Sequence, residues 1–345
     1  MCIRDRLKDD PKYSLDGIGA YHLTLGRNKK SVELDLKSEE GLKLFKELVS
    51  VADVVVDNFS QGVTKRLGID HQSLKKVNPK IITCSISGFG DTELNRPAYD
   101  NLIQGYAGAM SITGTDKENP VKSGIPIADL GAGLYAVIGI LSAIQSREKN
   151  DSGEHVDISM LDTQVSLLTY MATMHFLSGE NPEPIGNQHM NHVPFNSYRT
   201  LDGFIQIGVV AEDFWPSLIE ALDLRQLDTE ENKVRIGRLK NRENIDEALQ
   251  EVFITNTTEH WLKILQEHRV PCGPINTLSE TFEDADLLKR NMIVEVLQDS
   301  GTSVKMPGNP VKISNHDEEF RRSPKLGEHT AEIFKNWLNK DISVD

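Results

Sequence analysis

Hydrophobic and polar positions change period several times along the chain, and each change marks an element. An amphipathic run from Glu39 to Val51 predicts a helix, and the β-branched run Asp53-Val-Val-Val-Asp57 that follows predicts a buried strand. A short helical stretch from Leu74 to Val77 leads into a second such strand, Lys80 to Ile86. Pro97 to Met110 reads as a helix, Ile125 to Ala128 as a short extended lead-in, and Gly131 to Arg147 as an apolar helix packed on a sheet. A further strand from Glu154 to Ser159 precedes a long apolar helix from Leu161 to Leu177. Strands alternating with helices predict βαβ units, so the expected fold class is α/β, a Rossmann-like doubly wound parallel sheet.

The texture changes from Ser178 to Ser197, which is rich in Gly, Pro, Asn and His. Long loops of this kind mark boundaries or functional segments. The expected division is a large domain over 1–195, a smaller α+β domain over 196–306 and a C-terminal segment over 307–345. In the second part, Phe204 to Val210 reads as a strand, and Asp213 to Leu222, Asn244 to Ile254 and Thr258 to His268 read as helices. Ile293 to Leu297 and Ser303 to Met306 read as a hairpin. A helix from Glu328 to Leu338 is expected to return to the large domain. No internal repeat or low-complexity tract interrupts this order.

Composition narrows the class. With 345 residues, 38% hydrophobic and 26% charged, the chain is long enough for two cores and too apolar for wholesale disorder. A formal net charge of -14 disfavours nucleic acid and anionic membrane surfaces as partners. The most apolar stretch, Ile125 to Ile144, carries Asp129, three glycines and a serine, which reads as a buried helix and not as a bilayer span. Cys2, Cys84 and Cys272 are too far apart for a disulfide framework, and the N-terminus has no secretory or transit pattern. A cytoplasmic setting follows. The histidines form no ligand-spaced pair beyond His189 and His192, so no metal is expected.

Asp129 is the leading candidate for chemistry. It precedes Gly131-Ala-Gly133, at what reads as the start of a helix. In that position it serves as a helix N-cap, as a nucleophile, or as both. A carboxylate is ionised at neutral pH without a base, and it suffices against a thioester when positioning and oxyanion stabilisation are supplied, here by backbone N–H groups at the helix start. The loose G-x-G-x-x-A match at Gly131 to Ala136 leaves dinucleotide binding as an alternative, with Asp157 a late acidic partner. Basic residues at Arg27-Asn-Lys-Lys30, Lys37 and Lys65-Arg66 are either a solvated face or a patch for a phosphorylated ligand.

Several segments resemble the family III (CaiB/BaiF-type) CoA-transferases, a family that includes formyl-CoA transferase and succinate-hydroxymethylglutarate CoA-transferase. They are Arg27 to Lys37, Ala52 to Phe59 with Gly62 and Arg66-Leu-Gly68, Tyr99-Asp100, Pro126 to Asp129, Val270 to Asn276, and Leu326 to His329. The resemblance implies an interlocked homodimer whose subunits each have a Rossmann-like large domain and a small domain. It implies Asp129 as the catalytic residue and Tyr99 as an active-site tyrosine. From the residues themselves, Gly131, which lacks a Cβ that would keep a substrate carbonyl away, joins them at the substrate, and His189 is either a cleft residue or a surface histidine. The resemblance also implies CoA contacts at Leu34, Lys37, Asn58, Phe59 and Arg66, with acyl-CoA as a substrate, no tightly bound cofactor, and a small carboxylic acid as the other partner.

The implied reaction moves CoA from a donor such as succinyl-CoA to an acid, through an aspartyl anhydride and an aspartyl-CoA thioester. A racemase branch shares the fold but uses a His-Asp dipeptide where this chain has Tyr99-Asp100, and tyrosine, with an unperturbed pKa near 10, is a poor base near neutrality. The first βαβ unit of the family is expected to be missing, with the resemblance beginning around residues 9 to 25 and Met1 to Arg6 an unrelated leader. A truncated CoA-binding module is therefore the non-catalytic alternative. Gly186-Asn-Gln-His-Met190 stands where formyl-CoA transferase has a glycine-rich loop, which argues against oxalate and formate.

Overall fold

The computed structural model describes residues 10–92 and 96–342. The expected Met1 to Arg6 leader lies outside the described residues. The chain is mixed α/β and divides into two compact units. One comprises Met1–Ala109, Gly124–Ala172 and Phe282–Asp345, and the other Met110–Ser123 and Thr173–Thr281.

In the first unit, strands Val54–Asp57, Ile82–Ser87 and His155–Ser159 form a parallel sheet in that order. Register pairs Val54 with Ile82, Asp57 with Ser85, and Ser85 with Asp157. The polar residues Asp57, Ser85 and Asp157 therefore share one row near the carboxyl ends of the strands. The Glu39–Val49 helix starts where Ser38 accepts a hydrogen bond from the Gly41 N–H at 3.0 Å, and Glu39 and Glu40 occupy its positive first turn. Val49, Ile69, Leu74 and Ile81 form a core cluster, against which Leu36, Val55, Phe59 and Leu67 pack.

The long helix spans Ile127–Asn150, four residues earlier than the periodicity implies, and Ile125 to Ala128 is not a strand. Its buried positions are small: Ala128, Gly131, Ala132, Ala136 and Ala143. Close packing explains the choice, since a Cβ on Gly139 would lie 2.6 Å from Val156 Cγ1 and one on Gly131 would lie 2.9 Å from Thr163 Cγ2. Leu130, Leu134, Val137, Ile138 and Leu141 point outward and are exposed. By length and composition this helix could cross a membrane, although the core helices of soluble proteins meet the same criterion.

The expected helix from Leu161 to Leu177 is two, Met160–Leu167 and Tyr170–Ser178. Thr169 breaks the run with φ +49°, a left-handed conformation that ends a helix. The hairpin of Ile293–Leu297 and Ser303–Pro307 groups with the first unit and not with residues 196–281. The reason is local: Val294, Val296 and Met306 face Leu23 in one buried cluster. The C-terminal segment also belongs here, with Arg27 donating to the Pro307 carbonyl at 2.7 Å and Asn28 to that of Glu319 at 2.7 Å.

The second unit is built on the antiparallel strands Phe195–Arg199, Phe204–Gly208 and Cys272–Pro274. Helices Phe214–Leu222, Arg242–Phe253 and Thr258–Glu267 supply the rest of its core. Tyr198, Ile205, Ile207, Trp215, Leu249, Phe253 and Leu265 are buried in a single cluster. The buried Arg238 guanidinium donates to the carbonyls of Val193 and Asn232 and forms an ion pair with Glu212 at 2.7 Å, which satisfies its charge.

Candidate functional site

Asp129 occupies the first turn of the long helix and does not cap it. The N-cap is Pro126, which has no side-chain acceptor. The capping carboxylate is supplied by Asp100, the first residue of the Asp100–Tyr106 helix: its Oδ1 accepts from the Ala128 N–H at 2.8 Å and the Asp129 N–H at 3.3 Å. Its other oxygen accepts from the buried Gln104 Nε2 at 2.6 Å. Asp100 thus joins two helix starts, a role not visible in the Tyr99-Asp100 dipeptide. The N–H groups beside Asp129, which the sequence suggested as oxyanion donors, are already occupied by this cap.

The Asp129 carboxylate has no hydrogen-bond or ion-pair partner among the described residues. Partial screening from water raises its pKa above the usual carboxylate range, and the nearby Asp100 charge adds to the rise. Such a group is less stabilised as an anion than a solvated aspartate, and it presents free lone pairs at an exposed position. That combination suits a nucleophile that must attack without a base.

The other candidates are placed as follows. Tyr99 is the N-cap residue of the Asp100 helix, 59% exposed, with φ -136° and ψ 160°. Gly131 lies on the buried side of the long helix against Thr163 and Leu167, so its missing Cβ serves helix packing. His189 lies in the second unit, half-buried, with ring centroids 4.7 Å from His192 and 5.3 Å from Phe195. Burial, the neighbouring His192 and Arg242 each lower its pKa.

At the carboxyl end of the parallel sheet, Asn58 follows the first strand, and its Nδ2 donates to the Ile86 carbonyl at 2.7 Å. Phe59 donates its backbone N–H to Asp57 Oδ1 at 3.1 Å. Arg66 sits on the short Val63–Leu67 helix, whose lead-in residue Gln61 donates to the Thr92 carbonyl. Leu34 is half-buried, and Lys37 follows a turn in which Asp35 Oδ1 accepts the Lys37 N–H at 2.9 Å. Leu36, Phe59 and Leu67, the sequence neighbours of Lys37, Asn58 and Arg66, pack on one cluster. The side chains of Lys37 and Arg66 have no partner among the described residues.

Of the basic run further upstream, Lys29 donates to the Leu25 carbonyl and Lys30 pairs with Glu332. That run therefore ties down the C-terminal segment.

The two groups of candidates are linked through the loop after the middle strand. A Cβ on Gly88 would lie 2.2 Å from that of Ala98, so only glycine lets this loop press against the lead into the Asp100 helix. Phe89 then joins Ile103, Ala128 and Ala132 in one cluster. A concavity of about 400 Å³ lies at the opposite, amino end of the strands, lined by Asp53, Lys80, Arg147 and Asp151, and Asp129 does not border it. Its charges are paired, Arg147 with Asp53 at 2.9 Å and Lys80 with Asp151.

Comparison with known proteins gives one answer. The family model described as CoA-transferase family III matches residues 4–330, beginning ahead of the expected residues 9 to 25. The chain is 32% identical over 325 residues to the succinyl-CoA:glutarate CoA-transferase of Homo sapiens, covering 93% of this chain and 74% of that protein. It is 33% identical over 323 residues to the acetyl-CoA:oxalate CoA-transferase of Acetobacter aceti, covering 92% and 82%. A crystal structure of a CAIB/BAIF family protein from Brucella suis matches with a TM-score of 0.84 at 34% identity, covering 94% of this chain and 86% of that one.

Proposed function

The chain belongs to CoA-transferase family III, and we propose that it moves CoA between a dicarboxylyl-CoA and a carboxylic acid, with Asp129 as the covalent carrier. The observation that carries this reading is an Asp129 carboxylate that is exposed, without a partner, and fixed by the first turn of a helix capped by another residue. The dicarboxylate preference is supported by two relatives, one named for glutarate and one for oxalate; the second runs against the argument from Gly186 to Met190, so oxalate belongs in the acceptor panel.

By resemblance to the family, an Asp129 oxygen attacks the donor thioester carbon, and the C–S bond breaks to release CoA thiolate and leave a mixed anhydride. The thiolate then attacks the Asp129 carbonyl carbon, releasing the donor acid and forming an aspartyl-CoA thioester. The acceptor carboxylate attacks that thioester, thiolate leaves again, and its attack on the acceptor carbonyl yields the new acyl-CoA and restores Asp129. Each step exchanges one acyl–heteroatom bond for another, so no external base or oxidant is consumed.

In the same reading, Lys37 and Arg66 bind the CoA phosphates, Leu34, Asn58 and Phe59 bind the rest of the nucleotide and pantetheine, and Tyr99 and Gly131 line the acyl site. No tightly bound cofactor is needed. The parallel sheet is taken as part of a Rossmann-like large domain, residues 1–195, followed by a small domain, 196–306, and a returning segment, 307–345. The enzyme is taken to be cytoplasmic and a homodimer, interlocked as the family implies. Its second copy covers the outward apolar stripe of the long helix, which begins at Leu130 beside Asp129.

The test is exchange of labelled CoA between succinate and a panel of acids including glutarate, oxalate and acetate. Asp129→Asn is expected to lower exchange by about 1,000-fold or more. Hydroxylamine added with acyl-CoA is expected to leave a hydroxamate on Asp129, read by peptide mass. Full exchange by the variant refutes the carrier. Binding of CoA without any covalent mass gain favours the non-catalytic alternative, and deuterium wash-in at the α-carbon favours the racemase.

A further inference from the structure

Arg96 carries a charge that no carboxylate among the described residues pairs. Its guanidinium carbon lies 4.8 Å from the ring centroid of Phe89 and 4.7 Å from that of Tyr106. The two rings meet edge to face, 79° apart, with centroids separated by 5.6 Å. Stacking of this kind holds the cation by the faces of the rings and leaves its N–H edge free. Arg96 is exposed, and among the described residues it makes no ion pair or hydrogen bond. Other arginines of this acidic chain are paired with carboxylates, among them Arg147, Arg238, Arg321 and Arg322.

The supports under Arg96 are those of the candidate site. Phe89 is buried in the cluster that contains Ala128, the residue before Asp129. Tyr106 ends the helix whose first residue, Asp100, caps the Asp129 turn. Arg96 is therefore anchored on the same packed elements as Asp129.

We infer that Arg96 binds the far carboxylate of a dicarboxylate substrate, and so selects diacids over monoacids. This rests on the transferase reading above. A planar guanidinium edge matches a carboxylate through two parallel N–H···O bonds, and aromatic stacking fixes that edge before the substrate arrives.

The experiment compares the full chain with Arg96→Gln and Arg96→Lys, using acetyl-CoA as the fixed donor. Acceptors are paired by length, glutarate with pentanoate and succinate with butanoate. Arg96→Gln is expected to raise KM for the diacids by roughly 10- to 100-fold and leave the monoacid values unchanged. Arg96→Lys, which keeps charge and stacking but loses the fork, is expected to give a smaller rise with the same split, and it answers the question if the glutamine variant does not fold.

Equal losses for diacids and monoacids overturn the inference in favour of a scaffold role. A rise in donor KM alone overturns it in favour of a CoA phosphate contact. If the wild-type chain transfers CoA but neither variant changes the diacid preference, only the Arg96 assignment falls. If the wild type transfers no CoA to any acid, the transferase reading fails and this inference fails with it.

Discussion

In the second unit Trp215, Tyr198, Phe253 and Leu218 are all at most 2% exposed, and the polar positions of their helices face outward. Along the long helix of the first unit the order is reversed. Alanine and glycine face inward, while Leu134 and Leu141 are 68% and 60% exposed. Both regions are rich in apolar residues, yet one completes its own core and the other displays a stripe beginning beside Asp129. A region that buries its large side chains derives stability from its own packing, at about 25 cal/mol per Å² of apolar surface removed from water. A region that exposes them presents a patch of the kind that marks interaction sites.

The sharpest way to break this contrast is to charge the stripe. The double variant Leu134→Lys, Leu141→Lys is expected to convert a dimer into a monomer in light scattering and to lose most CoA exchange, while retaining a native far-ultraviolet spectrum. A variant that stays dimeric and active shows that a second copy does not cover the stripe. The opposite lesion, Trp215→Ala, is expected to cost about 3 to 5 kcal/mol in urea denaturation, because it empties a packed core and removes the ring lying 5.2 Å from the Arg238 guanidinium. A cost below about 0.5 kcal/mol, ordinary for a surface substitution, would erase the distinction between the two regions.

The smallest expected effect concerns the turn that holds Asp129. Burial and the Asp100 charge raise its pKa, so its ionised, nucleophilic form is lost earlier than for a free aspartate as pH falls. For stability the sign is opposite to that of an ion-paired carboxylate. The favourable contribution exists below the unfolded value and disappears as pH rises through the folded one. Asp100→Asn keeps an oxygen to cap the Ala128 N–H and removes the charge. The acidic limb of kcat/KM is expected to move to lower pH, and an unmoved limb would mean that Asp100 acts only through the cap.

How much of this was legible in the sequence varied with distance along the chain. The strands Val54–Asp57, Ile82–Ser87 and His155–Ser159 were readable because short β-branched runs favour extended backbone locally, although only the middle one has fully buried positions along its first half. The break at Thr169 was not, since a continuous apolar run gives no sign of a single left-handed residue. Gly131 read as a residue that admits a substrate, and the structure adds a packing reason for it that the sequence did not show, since a Cβ there would lie 2.9 Å from Thr163 Cγ2. Asp129 looked like its own cap because aspartate is a favoured capping residue, and Asp100, 29 residues earlier, had already taken that place.

By itself, then, the sequence determined the alternation of strands and helices, the acidic balance of the chain and, through resemblance, its family. These depend on residue type and on neighbours a few positions away. Only the tertiary structure decided which carboxylate caps the site helix, which rings stack on Arg96, and which side of the long helix faces out. Each of those results from packing between segments far apart in the chain, where a single Cβ, as at Gly88 or Gly139, determines how closely two elements can approach.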